Sequence, residues 1–237
     1  MQLSSLTEMW DRLTGTQPDP QLSFVLIAAA LALLVVVPRR LWLLSRNVVT
    51  IAHEGGHALA ALVTGRRLTG IRLHSDTSGV TVSVGKPTGP GMVLTGLAGY
   101  ITPSLLGLAY ALVLETGRIT LLLWVSLVLL GGMLIMIRNF YGALSLIVTG
   151  AIVFAVSWFT SATTQAGFAY AFTWFLLLAG VRPVWELQHK RRRRQAPDSD
   201  ADQLARLTRV PGIFWVGFFA VVNVVCLAAG FGLLVPQ

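Results

Sequence analysis

The chain has 237 residues, of which 54% are hydrophobic and only 12% are charged. Soluble domains carry about 25% charged residues, so this composition argues against a soluble globular protein, and its hydrophobicity excludes a disordered one. The net charge of +8 would suggest nucleic acid as the partner of a soluble protein. In a membrane protein it instead reflects Lys and Arg concentrated in cytoplasmic loops, so we expect no nucleic-acid partner.

Seven apolar runs follow a polar N-terminal segment at residues 1–21. Most of them are long enough to cross a bilayer, which takes about 20 residues of helix. The runs are residues 22–37, 41–64, 91–114, 119–137, 141–159, 167–181 and 210–235. The sequence therefore predicts an all-α polytopic membrane protein with six to seven transmembrane helices, forming one integral membrane domain over residues 22–237.

Two segments break the apolar pattern. Residues 68–85 alternate between apolar and polar positions around a Ser-Asp-Thr-Ser-Gly turn, which predicts a short β-hairpin on the cytoplasmic side. Residues 186–209 form the one long polar stretch and include four arginines at 191–194, so we expect a cytoplasmic loop before the last helix at 210–235. The single cysteine, Cys226, excludes a disulfide within the chain.

The basic residues predict an orientation. If each run spans once and the loop at 186–209 is cytoplasmic, 14 of the 18 Lys and Arg residues lie on the cytoplasmic side. They are Arg12, Arg66, Arg67, Arg72, Lys86, Arg138, Arg182, Lys190, Arg191, Arg192, Arg193, Arg194, Arg206 and Arg209. The remaining four, outside, are Arg39, Arg40, Arg46 and Arg118. We expect a cytoplasmic N-terminus and an outward C-terminus; the N-terminus changes sides if the first run does not span.

The second run, predicted as a helix over residues 41–64, carries the sequence His-Glu-Gly-Gly-His at 53–57. On a helix His53 and His57 lie on one face, one turn apart, so both imidazoles can reach one zinc ion. Glu54 is placed to polarise the zinc-bound water and accept its proton. Ionisable residues inside a membrane helix are costly and mark function by default, so we interpret this motif as a catalytic zinc site.

A catalytic zinc ion needs a third protein ligand and an open position for water. The chain has only ten acidic residues, and the last five apolar runs contain no aspartate. By the predicted orientation, the aspartates on the same side as the end of the second helix are Asp76, Asp198, Asp200 and Asp202. We interpret Asp198 as a solvated loop residue, and the spacing leaves the other three open.

A membrane helix with HEGGH followed by a β-hairpin resembles the site-2 protease class of intramembrane zinc metalloproteases, and more closely its bacterial M50B-like branch. The segments LHSDTSGVTV, RNFYG and SDADQLARLT are also similar to that branch, so the resemblance covers most of the chain from about residue 41 onward. It implies cleavage of a substrate's transmembrane segment near the cytoplasmic face, with Zn²⁺ as cofactor and the hairpin holding the substrate extended. The matching residues are His53 and His57 as zinc ligands and Glu54 as the catalytic acid/base.

The third ligand is where the chain departs from the better-known site-2 proteases. Those enzymes take it from an Asp followed by Gly in a later membrane helix, and this chain contains no Asp-Gly pair. The similarity of the Ser-Asp-Ala sequence at 199–201 to the motif of the branch favours Asp200, with Asp202 as the alternative. Either residue requires the segment before the last helix to dip back into the bundle.

Three further residues are candidate substrate contacts. Asn139 is expected to hydrogen-bond the substrate backbone or an oxyanion, or else to cap a helix beside Gly142. Ser78 and Gly79 lie at the hairpin turn. An edge strand there can pair with an unwound substrate by β-addition.

The resulting hypothesis is an intramembrane zinc metalloendopeptidase in which zinc-bound water, activated by Glu54, attacks a peptide bond in or near a substrate's transmembrane segment. We expect it in a bacterial cytoplasmic membrane with the active site towards the cytoplasmic side. Its partners are a membrane-protein or peptide substrate and the lipid bilayer. The alternative is a non-catalytic membrane scaffold or transport-like protein that keeps the fold, with or without a metal. A third possibility is a zinc hydrolase acting on a lipid or small amide.

Overall fold

The computed structural model describes Trp10, residues 14–18 and residues 20–235, so most of the polar segment predicted at 1–21 lies outside the described residues. The helices are α1 (Leu22–Val36), α2 (Arg39–Val63), α3 (Pro90–Glu115), α4 (Ile119–Met136), α5 (Phe140–Phe159), α6 (Ala162–Arg192), α7 (Asp200–Thr208) and α8 (Gly212–Leu234). Two antiparallel strands, β1 (Arg67–Leu73) and β2 (Gly79–Val84), lie between α2 and α3.

Five helices are long and apolar enough to cross a bilayer, namely α3, α4, α5, α6 and α8. The pair α1 and α2 makes a sixth candidate span. Helix α3 is central, because it packs against α2, α6 and α8 as well as the short helix α7. The predicted fold class, an all-α polytopic membrane protein with a short β-hairpin, is confirmed.

The first two apolar runs form one bent pair rather than two separate spans. Helix α1 ends at Val36 and α2 begins at Arg39, with a bend of 101° between them. Pro38 separates the helices because its nitrogen has no hydrogen to donate. The Arg182 guanidinium of α6 donates to the carbonyls of Val36 and Val37 at the break. The assumption that each run spans once therefore fails, and the described residues offer five or six spans.

The bend also changes the side on which Gln17, shortly before α1, lies. The β-hairpin and residues 137–139, which contact β1, mark one end of the bundle, called here the hairpin end. Gln17 lies at the opposite end, where its N–H donates to the carbonyl of Gly117 at 2.9 Å in the turn between α3 and α4. The expectation that the N-terminal region and the hairpin share the cytoplasmic side therefore fails for Gln17. Arg12, which was counted on that side, lies outside the described residues.

The start of α2 lies nearer the hairpin end than the sequence suggested. The Trp42 indole donates to the Glu186 carboxylate at 2.8 Å, and the Arg46 guanidinium lies 3.8 Å from the same carboxylate. Glu186 lies in the last turns of α6, about 9 Å from its end at 1.5 Å per residue. Arg39, Arg40 and Arg46 therefore lie in the half of the bundle closer to the hairpin end, and the expectation that they lie outside is wrong.

The predicted hairpin forms over residues 67–84. In its turn Thr77 adopts a left-handed conformation with φ of 66°, and the Ser78 N–H donates to the Asp76 carboxylate at 2.9 Å. Hydrogen bonds from the Ser78 side chain and backbone hold the pKa of Asp76 below its usual value. Ile71 and Leu73 of β1 are fully buried against α2, α4 and α5. The exposed positions of β2 are apolar, namely Val80, Val82 and Val84.

The polar stretch at 186–209 is mostly helical, where the sequence suggested a loop. Helix α6 continues to Arg192, since basic residues suit the negative end of a helix dipole. Ser199 then caps α7. Ala201 and Leu204 on the inner face of α7 are fully buried against α3, α6 and α8. This short amphipathic helix therefore brings the segment before α8 back onto the bundle.

Candidate metal centre

Two histidines and one aspartate converge between α2 and α7. The Nε2 atoms of His53 and His57 lie 3.1 Å apart, and Asp200 Oδ2 lies 3.3 Å from the first and 3.2 Å from the second. In the part of the chain that the structure describes, this is the one group of three or more His, Cys, Asp or Glu side chains close enough to share a metal ion. The three residues can therefore hold a metal.

The chemistry of this donor set fits zinc. Bonds of about 2.0–2.1 Å in a tetrahedral site place the ligand atoms about 3.3 Å apart, which agrees with the separations seen here. Asp200 Oδ2 is buried and faces only the two imidazole nitrogens, without a well-aligned hydrogen bond, so a cation held between the three atoms would satisfy it. Burial raises the pKa of the Asp200 carboxyl, but the two imidazoles outweigh burial and lower that pKa, so the carboxylate form is favoured.

The ring of His57 is oriented by a main-chain carbonyl. Its Nδ1 lies 2.7 Å from the carbonyl oxygen of Thr95 in α3. Because a carbonyl only accepts hydrogen bonds, Nδ1 must carry the proton. In the neutral ring the lone pair of Nε2 faces His53 and Asp200, as in metal-binding histidines whose second nitrogen is held by the protein.

A glycine of α3 leaves the space in which the histidines meet. A Cβ atom at Gly99 would lie 2.6 Å from His53 Nε2 and closer still to His57 Nε2. Gly56 of α2 likewise leaves space for α3, since a Cβ at Gly56 would lie 2.6 Å from the Cβ of Thr102. The two helices can therefore approach closely only because both positions lack a side chain.

Glu54 lies beside the three converging residues and is held by the hairpin. Its side chain is buried and follows the first histidine of the motif on α2. The Thr81 hydroxyl of β2 donates to Glu54 Oε2 at 2.6 Å. A Cβ at Gly79 would lie 2.5 Å from Glu54 Oε1, so the first residue of β2 packs directly on the carboxylate.

Asp200, which the resemblance favoured, and Asp202, its alternative, have different partners. Asp200 contacts the histidines, whereas Asp202 accepts hydrogen bonds from Arg191 at 2.7 Å and from the Ser199 hydroxyl at 2.5 Å. Partial burial works to raise the pKa of Asp202, but these hydrogen bonds outweigh it and lower that pKa. The structure thus brings Asp200, and not Asp202, to His53 and His57.

The candidate substrate residues are engaged with the protein itself. The Asn139 side chain donates to the Leu73 carbonyl at 2.6 Å and accepts from the Leu73 N–H at 3.2 Å. It occupies the N-cap position of α5 without a capping hydrogen bond, so it anchors β1 in this structure. Ser78 donates to Asp76 at 2.6 Å within the turn. Gly79 packs on Glu54, so of the three it lies nearest the candidate centre.

Sequence reasoning missed several residues that shape the site, namely Thr81, Thr95, Gly99 and Arg191. Thr81 had a detectable signal, because the alternation of β2 puts it on the face opposite Val80 and Val82. Thr95, Gly99 and Arg191 had no such signal in the sequence, since their roles depend on which helices pack together.

Comparisons with known proteins agree with this picture. The model of the Peptidase M50B-like family matches residues 26–230. Comparison with curated proteins and with solved structures found no significant match. Because the family model covers most of the chain, this protein belongs to the Peptidase M50B-like family, the site-2 protease class that its sequence resembles.

Proposed function

We propose that this protein is an intramembrane zinc metalloprotease that hydrolyses a peptide bond in or near a transmembrane segment of another membrane protein. The observation that carries the proposal is the convergence of His53, His57 and Asp200 beside the buried carboxylate of Glu54. Membership of a peptidase family supports hydrolysis over a scaffold or transport role.

In this proposal His53, His57 and Asp200 would hold a zinc ion, which when bound would polarise the substrate carbonyl and the attacking water. The Glu54 carboxylate would accept the proton of that water and later donate it to the nitrogen of the leaving amine as the peptide bond breaks. The Thr81 hydroxyl holds Glu54 in one orientation during both transfers, because its hydrogen bond fixes one carboxylate oxygen.

The hairpin supports a peptide rather than a lipid or small amide as the substrate. Among the described residues β2 pairs only with β1, so its second edge is open to an extended chain. Gly79, at the start of that strand, lies against Glu54. A substrate segment added along β2 would bring an unwound peptide next to the carboxylate, as β-addition requires.

The charge distribution supports an active site towards the cytoplasmic side of the membrane. The basic end of α6 emerges at the hairpin end, close to α7 and the converging residues. Arg39, Arg40 and Arg46 lie in the same half of the bundle, which strengthens the bias expected of cytoplasmic loops.

Glu54→Gln tests the proposal even while the substrate is unidentified. Membranes from cells producing the wild type or this variant are compared by quantitative mapping of new peptide N-termini. We expect cuts within or beside transmembrane segments that depend on the wild type and disappear in Glu54→Gln, while zinc binding is kept. Equal cleavage in both samples, or no cut that depends on the wild type, would contradict a protease.

A further inference from the structure

The helix that carries Asp200 is tied to the bundle by an ion pair. Arg191, near the end of α6, donates from Nη2 to Asp202 Oδ1 at 2.7 Å and from Nε to the same oxygen at 3.2 Å. The other carboxylate oxygen of Asp202 accepts the hydroxyl of Ser199 at 2.5 Å. Arg191 therefore reaches both the N-cap and the first turn of α7 through one carboxylate.

Helix α7 needs such support because it has only nine residues. Isolated helices shorter than about 12–15 residues are marginal in water, so tertiary contacts must fix where α7 lies. Ala201 and Leu204 provide apolar packing on one face. Apolar packing alone does not prevent the first turn of α7 from rotating or sliding. The polar contacts around Ser199 and Asp202 restrain these movements.

The start of α8 is built around the same guanidinium group. A Cβ at Gly212 would lie 2.9 Å from Arg191 Cζ and 3.2 Å from the carbonyl oxygen of Ala201. Glycine therefore leaves the room in which the end of α6, the first turn of α7 and the start of α8 meet. Asp200 lies one residue before Ala201, within this junction.

We infer that Arg191 is a positioning residue for the metal centre: through Asp202 and Ser199 it fixes the first turn of α7 and so holds Asp200 against His53 and His57. The inference rests on the proposed function, since it assigns Arg191 a role only if Asp200 binds the metal. It also gives the second aspartate of the Ser-Asp-Ala-Asp sequence a function distinct from that of the first.

The test is the Zn²⁺ affinity of the purified full-length protein, measured by competition with a chelating dye. Arg191→Gln and Asp202→Asn are expected to weaken zinc binding by about 10- to 100-fold, the usual cost of losing a residue that orients a metal ligand. Arg191→Lys should fall between the wild type and Arg191→Gln. The charge-reversed double variant, Arg191→Asp with Asp202→Arg, should recover part of the loss.

A second ion pair on the same segment provides the matched control. Asp198 and Arg206 lie 3.3 Å apart and are largely exposed, with 83% and 58% of their side chains accessible. Asp198→Asn and Arg206→Gln should leave the zinc affinity unchanged. Thermal unfolding of every variant shows whether a loss of zinc affinity comes from a loss of folded protein. If Arg191→Gln does not fold, the zinc affinities of Arg191→Lys and of the charge-reversed double variant provide the test.

Failure of the inference and failure of the proposed site give different results. If Asp202→Asn binds zinc as the wild type does while Asp200→Asn has lost it, Arg191 has no positioning role and the site stands. If Asp200→Asn binds zinc as tightly as the wild type, the proposed site itself is wrong. An equal loss of affinity in the Asp198→Asn control would also overturn the inference, because any change on this segment would then have the same effect.

Discussion

The hydroxyl of Thr81 lies 2.6 Å from Oε2 of Glu54, so a strand of the hairpin holds the carboxylate of the HEGGH helix. The same hydroxyl lies 3.2 Å from the main-chain carbonyl of Glu54. The inner face of β2 therefore contacts α2, while Val80 and Val82 face outward. The hairpin thus orients Glu54 and offers an open strand edge next to it.

Thr81→Val tests this relationship. A hydrogen bond to a charged group contributes about 1.5–3 kcal/mol, so its loss should lower kcat by about 10- to 100-fold if Glu54 is the acid/base. The zinc content should not change, because the hydroxyl of Thr81 bonds Glu54 and not the three converging side chains. Once a substrate is known, turnover and metal content are measured on the same preparation. Thr81→Ser keeps the hydroxyl and should stay close to the wild type; equal losses in both variants would contradict the orienting role.

Gly99→Ala tests whether the space between α3 and the two histidines is required. The added methyl group would overlap the Nε2 atoms of His53 and His57, so we expect loss of zinc and of activity together. Gly131→Ala is the matched control, because no atom lies within 4 Å of a Cβ at that position in α4. Metal analysis that finds full zinc occupancy in Gly99→Ala would contradict this geometry.

Asn139→Leu separates an anchoring role from direct substrate binding. The change removes both hydrogen bonds to the Leu73 backbone and leaves two main-chain groups unpaired, at a cost of about 2–4 kcal/mol in unfolding free energy. We expect lower stability in denaturant titration together with a higher KM. Asn139→Asp keeps the acceptor for the Leu73 N–H but sets a carboxylate oxygen against the Leu73 carbonyl, so it should also be less stable than the wild type. Unchanged stability with lost cleavage would instead support the direct contact with substrate that the sequence suggested.

Arg182→Met tests the bend between α1 and α2. It removes the donors to the Val36 and Val37 carbonyls and the ion pair with Glu186. We expect the free energy of unfolding to fall by about 1–3 kcal/mol, because the partly buried carbonyl of Val36 loses a charged donor. Arg192→Met, an exposed position on the same helix, is the control and should have no effect. Equal stability of both variants in a thermal unfolding assay would mean that Arg182 does not stabilise the bend.

The parts of this fold that follow local rules were predictable, and those that depend on docking were not. The spacing of His53 and His57 puts them on one helix face whatever surrounds them. Only the family resemblance favoured Asp200 over Asp202, because the geometric reason for that choice is the packing of α7, which residue spacing does not reveal. The bend at Pro38 was missed because a proline between two apolar runs also suits a turn between two spans. The polar composition after Glu186 resembles a loop, although basic residues equally suit the end of a long helix.

The zinc content of the purified protein tests the central claim most directly. Elemental analysis should find one zinc ion per chain in the wild type, and almost none in a His53→Ala, His57→Ala double variant that keeps its helical content. Glu54→Gln should retain the metal, because Glu54 is not among the converging donors. A folded wild-type protein without zinc, or a double variant with undiminished zinc, would contradict the account.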